Sequence, residues 1–219
     1  MATHMAQDER PLVIIGTGGQ GRCALDIALQ CDRQVMGFVD AVNPDHVGRS
    51  FNGVRVIADL AGLDDVVSPK AADLIVAYGT NQEKQTTVAA LAGRFVFSRL
   101  ISPQASVAED VLIGAGSIIY PMAVVQPNAQ LGEHVKVGPS SVVSHDNIFG
   151  NFVNVTTGCS LGGRVTLEEG VTLNTGVNIV PGVTIGAWTT VGAGALVMKN
   201  TGASELVYGV PAGLIRSLE

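Results

Sequence analysis

Residues 111–138 read VLIGAGSIIYPMAVVQPNAQLGEHVKVG, with a large apolar residue at every sixth position: Ile113, Ile119, Val125, Leu131 and Val137. The register holds in both directions, back through Val107 to Ile101 and forward through Val143, Phe149, Val155, Leu161, Leu167, Leu173, Ile179, Ile185 and Val191 to Val197. Four residues after each of these lies a second series of small or β-branched residues, among them Val111, Ser117, Ala123, Ala129, Val135, Ser141, Asn147, Val153, Cys159 and Ala195. A helix repeats near 3.6 and an ordinary strand at 2, so a strict six belongs to neither. One bulky and one compact inward residue per six, with glycine often after the bulky one, fits short flat strands joined by tight corners. With three hexads to a triangular turn, the segment predicts about five to six coils of parallel β-helix.

The stretch before the repeat has a different period. Leu12–Ile15 is a short apolar strand entering Gly16-Thr-Gly-Gly-Gln-Gly-Arg22, followed by an amphipathic stretch from Cys23 to about Cys31 and a second strand, Val35–Val39, ending at Asp40. This is a βαβ unit whose first loop matches Gly-x-Gly-x-x-Gly, where backbone N–H groups at a helix start approach an anionic group because side chains are missing. Further on, the pattern predicts strands at Val54–Ile57, Leu74–Tyr78 and Phe95–Phe97, and helices at Asp59–Val66 and Gln82–Leu91. The division expected is 1–5 as a vector remnant, 6–100 as a small α/β domain, 101–202 as the solenoid and 203–219 as a tail.

The 219 residues are 47% apolar, enough for two cores, and only 15% charged with a net charge of −6. No basic surface advertises nucleic acid or an anionic membrane. The chain has no run of about 18 apolar residues and no charged-then-apolar leader, which predicts a cytoplasmic protein without membrane insertion. Cys23, Cys31 and Cys159 have neither pairing arithmetic nor metal spacing, so no metal is expected. Of the four histidines, His4 falls in the vector remnant, His46 in a Pro-Asp-rich loop, His134 at a coil corner where solvation is the expectation, and His145 in Val142-Val-Ser-His-Asp146.

Taken together, the glycine loop, Phe38-Val-Asp40, Val142-Val-Ser-His-Asp146, Ile179-Val-Pro-Gly-Val-Thr-Ile-Gly186, Val191-Gly-Ala-Gly-Ala195 and Gly209-Val-Pro-Ala212 resemble the sugar acyltransferases of the NeuD and PglD type, over nearly the whole chain. The resemblance implies a Rossmann-like N-terminal domain followed by a left-handed β-helix, in homotrimers with active sites between subunits. The implied activity moves an acetyl group from the co-substrate acetyl-CoA to the amine of a nucleotide-linked 4-amino-4,6-dideoxy sugar in surface glycan biosynthesis. It makes His145 the general base and Asp146 its partner. Nucleotide-sugar contacts carry over to Gly18, Gly19, Gln20 and Asp40, with Thr80 and Asn81 beside them; acetyl-CoA contacts carry over to Asn154, Thr175, Ala193, Gly194 and Lys199. The chain departs from the family at Gln20 and Asn154, where histidines are common, and at Gly213, where lysine is.

Three alternatives stand beside this reading. The same fold acetylates hydroxyls, as on sialic acid. A β-helix protein that only binds a nucleotide sugar would need no base. An NAD-dependent dehydrogenase shares the glycine loop and Asp40, but the front segment is short for a six-strand dinucleotide fold and a repeat follows it.

Overall fold

The computed structural model describes residues 10–218; the Met1–Met5 segment and His4 lie outside the described residues. Contacts cluster into two units, one ending at Ser102 and the other beginning at Pro103.

The front unit runs β1 (Leu12–Ile15), α1 (Gly19–Gln30), β2 (Val35–Asp40), β3 (Ser50–Phe51), β4 (Val54–Asp59), α2 (Leu63–Val66), β5 (Asp73–Val76) and α3 (Asn81–Leu91). Its sheet has the order β3-β4-β2-β1-β5. β1 lies parallel to β2 and β5, β4 is parallel to β2, and β3 is an antiparallel edge on β4. Every residue of β1 is buried, which is why it reads as an unbroken Leu-Val-Ile-Ile rather than an alternation.

Several boundaries differ from the sequence reading. α1 starts at Gly19, inside the glycine loop. The helix expected over Asp59–Val66 shrinks to Leu63–Val66 because β4 runs on to pair Asp59 with Asp40, and Asp59 Oδ1 then accepts the Gly62 N–H at 2.8 Å to turn the chain. Phe95–Phe97 makes one bridge, Leu74 to Phe97, instead of a strand. The β3–β4 hairpin was not foreseen, although Asn52-Gly53, with φ of 49° and 79°, is the two-residue turn such a hairpin needs.

The second unit is a left-handed β-helix. Each two-residue strand pairs in parallel with the one 18 residues on: Val124 with Val142, Val142 with Ser160, Gln130 with Ile148, Lys136 with Asn154. From Val111 onward both predicted inward series are buried, with Ile119, Val137, Val155 and Leu173 of one and Val111, Val153, Val165 and Val177 of the other at 0% exposure, while Ile101, Ala105 and Val107 in the first coil are half-buried. One corner residue per hexad has a left-handed backbone, from Gly116 through Asn128, Ser140, Asp146, Arg164 and Gly176 to Gly194. Inward hydroxyls pair with the backbone of the next coil; Ser117 Oγ, for example, donates to Gly132 O and accepts from Val135 N–H. After the last coil, Glu205–Gly209 pairs with Thr190–Val191 and turns into an antiparallel strand, Ala212–Ser217.

His134 overturns its expectation. Its side chain is buried rather than solvated and stacks on Phe152, ring centroids 5.2 Å apart, in the space that Gly116 leaves by having no Cβ.

Candidate active site

His145 and Asp146 occupy an outer corner between the strands Val142–Val143 and Ile148–Phe149. The left-handed φ of 60° at Asp146 turns its side chain back toward its neighbour, and Asp146 Oδ2 lies 2.6 Å from His145 Nδ1. The two side chains are 51% and 44% exposed, open to an incoming molecule. The hydrogen bond from His145 holds the Asp146 carboxyl below its ordinary value; burial opposes this, and Asn128 and Arg164 add to the lowering. With Nδ1–H committed to the carboxylate, a neutral ring carries its lone pair on Nε2, the form a general base needs.

The corner's backbone is tied on several sides. The His145 N–H donates to Gln126 Oε1 at 3.2 Å, the Asp146 N–H to Pro127 O at 3.1 Å, and the Arg164 N–H to His145 O at 3.0 Å. One coil beyond His145 is Gly163, where a Cβ would come within 2.5 Å of His145 Cε1 and 2.6 Å of Nε2. The imidazole therefore lies against a bare Cα. Sequence reasoning passed over Gly163, although its place 18 residues after His145 is one full coil in the repeat.

The residues carried over for acetyl-CoA gather at a different edge. Gly194 N–H donates to Thr175 O at 2.9 Å, stacking Thr175, Ala193 and Gly194, all exposed or half-buried, in successive coils. Asn154, paired with Thr172, lies on the face that leads into this edge. Its Oδ1 is buried and meets no hydrogen-bond partner among the described residues. Lys199 is exposed just past the last coil strand. Within one chain the face carrying Ser160–Leu161 separates this edge from the His145 corner.

In the front unit, α1 and α3 both start at the carboxyl edge of the parallel sheet, after β1 and β5. Strand order reverses between β1 and β5, the switch point at which open α/β sheets bind ligands. Gly18 and Gly19 are exposed, a Cβ on either would meet nothing within 4 Å, and no described side chain caps α1. Gly16 and Gly21 instead permit close packing within the loop, since a Cβ at Gly16 (φ 113°) would lie 2.6 Å from Tyr78 Cβ, and one at Gly21 1.8 Å from Gly16 O. Gln20 is half-buried at the helix start. Thr80 caps α3, accepting the Glu83 N–H while Glu83 Oε2 accepts the Thr80 N–H, and Asn81 behind it is buried.

Asp40 is 4% exposed and its oxygens are engaged inside the protein. Oδ2 accepts from Thr17 Oγ1 at 2.5 Å and meets His46 Nδ1 at 2.6 Å; Oδ1 accepts the Val42 and Asn43 N–H groups at 2.9 Å each. Burial pushes its pKa up, but these hydrogen bonds outweigh it and bring the carboxyl to about 2. Asp40 thus fastens the glycine loop, through Thr17, to the 42–46 loop. Sequence reading had given His46 no partner.

No group of three or more His, Cys, Asp or Glu side chains that could hold a metal occurs among the described residues. No helix there is long and apolar enough to cross a membrane.

Residues 11–91 match the family model of the PglD N-terminal domain, and residues 110–145 that of the bacterial transferase hexapeptide (six repeats). Among solved structures, the chain is similar to the acetyltransferase domain of PglB from Neisseria gonorrhoeae FA1090, with 31% identity, a TM-score of 0.87, and coverage of 94% of this chain and 100% of that one. That domain has also been solved in complex with acetyl coenzyme A. A histidine-to-alanine variant of GDP-perosamine N-acetyltransferase from Caulobacter crescentus, in complex with CoA and GDP-perosamine, matches at 29% identity and a TM-score of 0.86, covering 94% of this chain and 97% of that one.

Proposed function

Because the chain belongs to the NeuD/PglD-type family of hexapeptide-repeat sugar acyltransferases, we propose that it transfers the acetyl group of acetyl-CoA to the amine of a nucleotide-linked 4-amino-4,6-dideoxy sugar in surface glycan biosynthesis. The observation that carries this is the His145–Asp146 pair, joined at 2.6 Å on two half-exposed side chains. The carboxyl-edge crevice of the front unit, with two helix N-termini and the bare Gly18–Gly19 loop, suits the diphosphate of such an acceptor.

His145 Nε2 takes a proton from the amine as its nitrogen attacks the thioester carbonyl, and Asp146 stabilises the imidazolium that forms. A backbone N–H holds the oxyanion. The C–S bond breaks, the proton passes to the departing sulfur, and an amide and the CoA thiol result. No side chain is acylated. Asn154, Thr175, Ala193, Gly194 and Lys199 hold acetyl-CoA. Their edge lies a face away from His145, which favours a homotrimer whose neighbouring prisms each contribute one side of the site.

The test is thiol release from acetyl-CoA against UDP-, dTDP- and GDP-linked 4-amino sugars and free sialic acid, with product mass. A gain of one acetyl group on a nucleotide amino sugar is the expected result. Turnover of sialic acid alone would replace N- with O-acetylation, and silence across the panel would remove the proposal.

A further inference from the structure

The inward column through Val111, Ala129, Asn147, Val165 and Val183, one residue per coil, is apolar at every turn except the one directly after the His145–Asp146 pair. Asn147 is at 0% exposure, and a buried amide is costly unless both of its ends are paired. Both are. Nδ2 donates to Ser144 O at 2.8 Å, and Oδ1 accepts the Val165 N–H at 2.7 Å. The opposite flip would set donor against donor and acceptor against acceptor, so the contacts fix the amide's orientation.

Ser144 and Asn147 bracket the catalytic pair, so the amide ties the inner side of that corner and fastens it to the next coil. Other corners close differently. At Val111, Val171, Val177 and Ala195 the inward residue's own backbone N–H donates to the carbonyl three residues back. The buried hydroxyls of Ser117 and Ser141 reach a carbonyl of the next coil, not one of their own corner.

We propose that Asn147 is a positioning residue for acetyl transfer: by spanning Ser144 O and Val165 N–H from within the prism, it holds the 144–147 corner in the shape that sets His145 Nδ1 against Asp146 and Nε2 toward the acceptor. This rests on the reading of His145 and Asp146 as the catalytic pair. An apolar residue satisfies the repeat at this position, so the amide's distinctive consequence is the geometry of the pair above it.

The test compares Asn147→Val, the residue of the neighbouring coils, with Asn147→Ser, which keeps an acceptor for the Val165 N–H but cannot return to Ser144 O. Each is made alone and with His145→Ala. Thermal melting and light scattering monitor fold and assembly. Long-range 1H–15N spectra of histidine-labelled protein report the His145 tautomer without any acceptor, and thiol release gives kcat and KM. Asn147→Val should fold and assemble as the parent does, lose its single Nδ1–H tautomer, and fall roughly 10- to 100-fold in kcat at unchanged KM, as expected for a displacement of up to an ångström. Asn147→Ser should lie between, and neither change should matter once His145 is alanine. An unaltered tautomer and kcat in Asn147→Val, or its failure to fold, would overturn the inference. Wild-type turnover by His145→Ala would instead remove the catalytic pair, an outcome the tautomer spectra keep separate.

Discussion

Replacing Gly163 with alanine should uncouple activity from stability. The added Cβ would lie 2.5 Å from His145 Cε1, 2.6 Å from Nε2 and 3.2 Å from Nδ1, whereas carbon contacts settle at about 3.5–4.0 Å. The ring must therefore retreat by about 1 Å. Because it is half exposed, it has room to do so by swinging into solvent, which stretches its 2.6 Å bond to Asp146. A displacement of that size costs about 100-fold in rate, or about 2.7 kcal/mol of transition-state stabilisation. The backbone at Gly163 is outside the left-handed region, so alanine brings no strain and restricts the unfolded chain, a gain of up to about 1 kcal/mol. The assay pairs thiol-release kinetics with a thermal melt. A variant melting at or above the parent temperature with about 1% of its kcat is the expected result. Wild-type kcat in a folded Gly163→Ala protein would refute the argument that the glycine sets the ring's position.

Three further outcomes follow from the geometry. The Asp40 carboxyl lies at about 2 in the folded protein against an ordinary 3.8, so its stabilisation is complete above pH 4 and is lost as pH falls toward 2; denaturant titrations should show an acid-labile component of about 2 kcal/mol that Asp40→Asn lacks. Gly18→Ala should melt normally yet raise the KM of the nucleotide sugar, while Gly21→Ala, with its Cβ 1.8 Å from Gly16 O, should destabilise the front unit by about 1–3 kcal/mol in calorimetry. Asn154→Ala removes the unsatisfied Oδ1 and should weaken acetyl-CoA binding about five-fold by isothermal titration, the worth of one hydrogen bond near 1 kcal/mol, with nucleotide-sugar binding unaffected.

The solenoid was legible because its geometry leaves no choice: two inward positions per hexad must be buried, so Ile119, Val137 and Val155 announce themselves in the sequence. The front unit was legible where one property decides, as in the all-apolar β1. It was misread where neighbours decide. Asp59 looks like a helix start until β2 offers it a strand partner, and Phe95–Phe97 looks like a strand until the sheet gives it only one bridge. His134 looked like a wet corner because a single-residue reading ignores the coil above, where Phe152 covers it. The same blindness hid Gly163 and the inner tie of Asn147, both visible only when residues 18 apart are set side by side. Asp40 was picked out by its place at the end of β2, but the four contacts that occupy its oxygens belong to Thr17 and the 42–46 loop, which no linear spacing encodes.

The central claim is that His145 serves as the base for acetyl transfer to a nucleotide-linked amine. Its most direct test is the turnover of His145→Ala beside the parent protein, on the amino-sugar nucleotide the parent accepts, with melting temperature and assembly size matched. A fall of about 100-fold or more with the fold intact is predicted, since general-base catalysis contributes about 10²–10⁴-fold. Undiminished turnover would contradict the account.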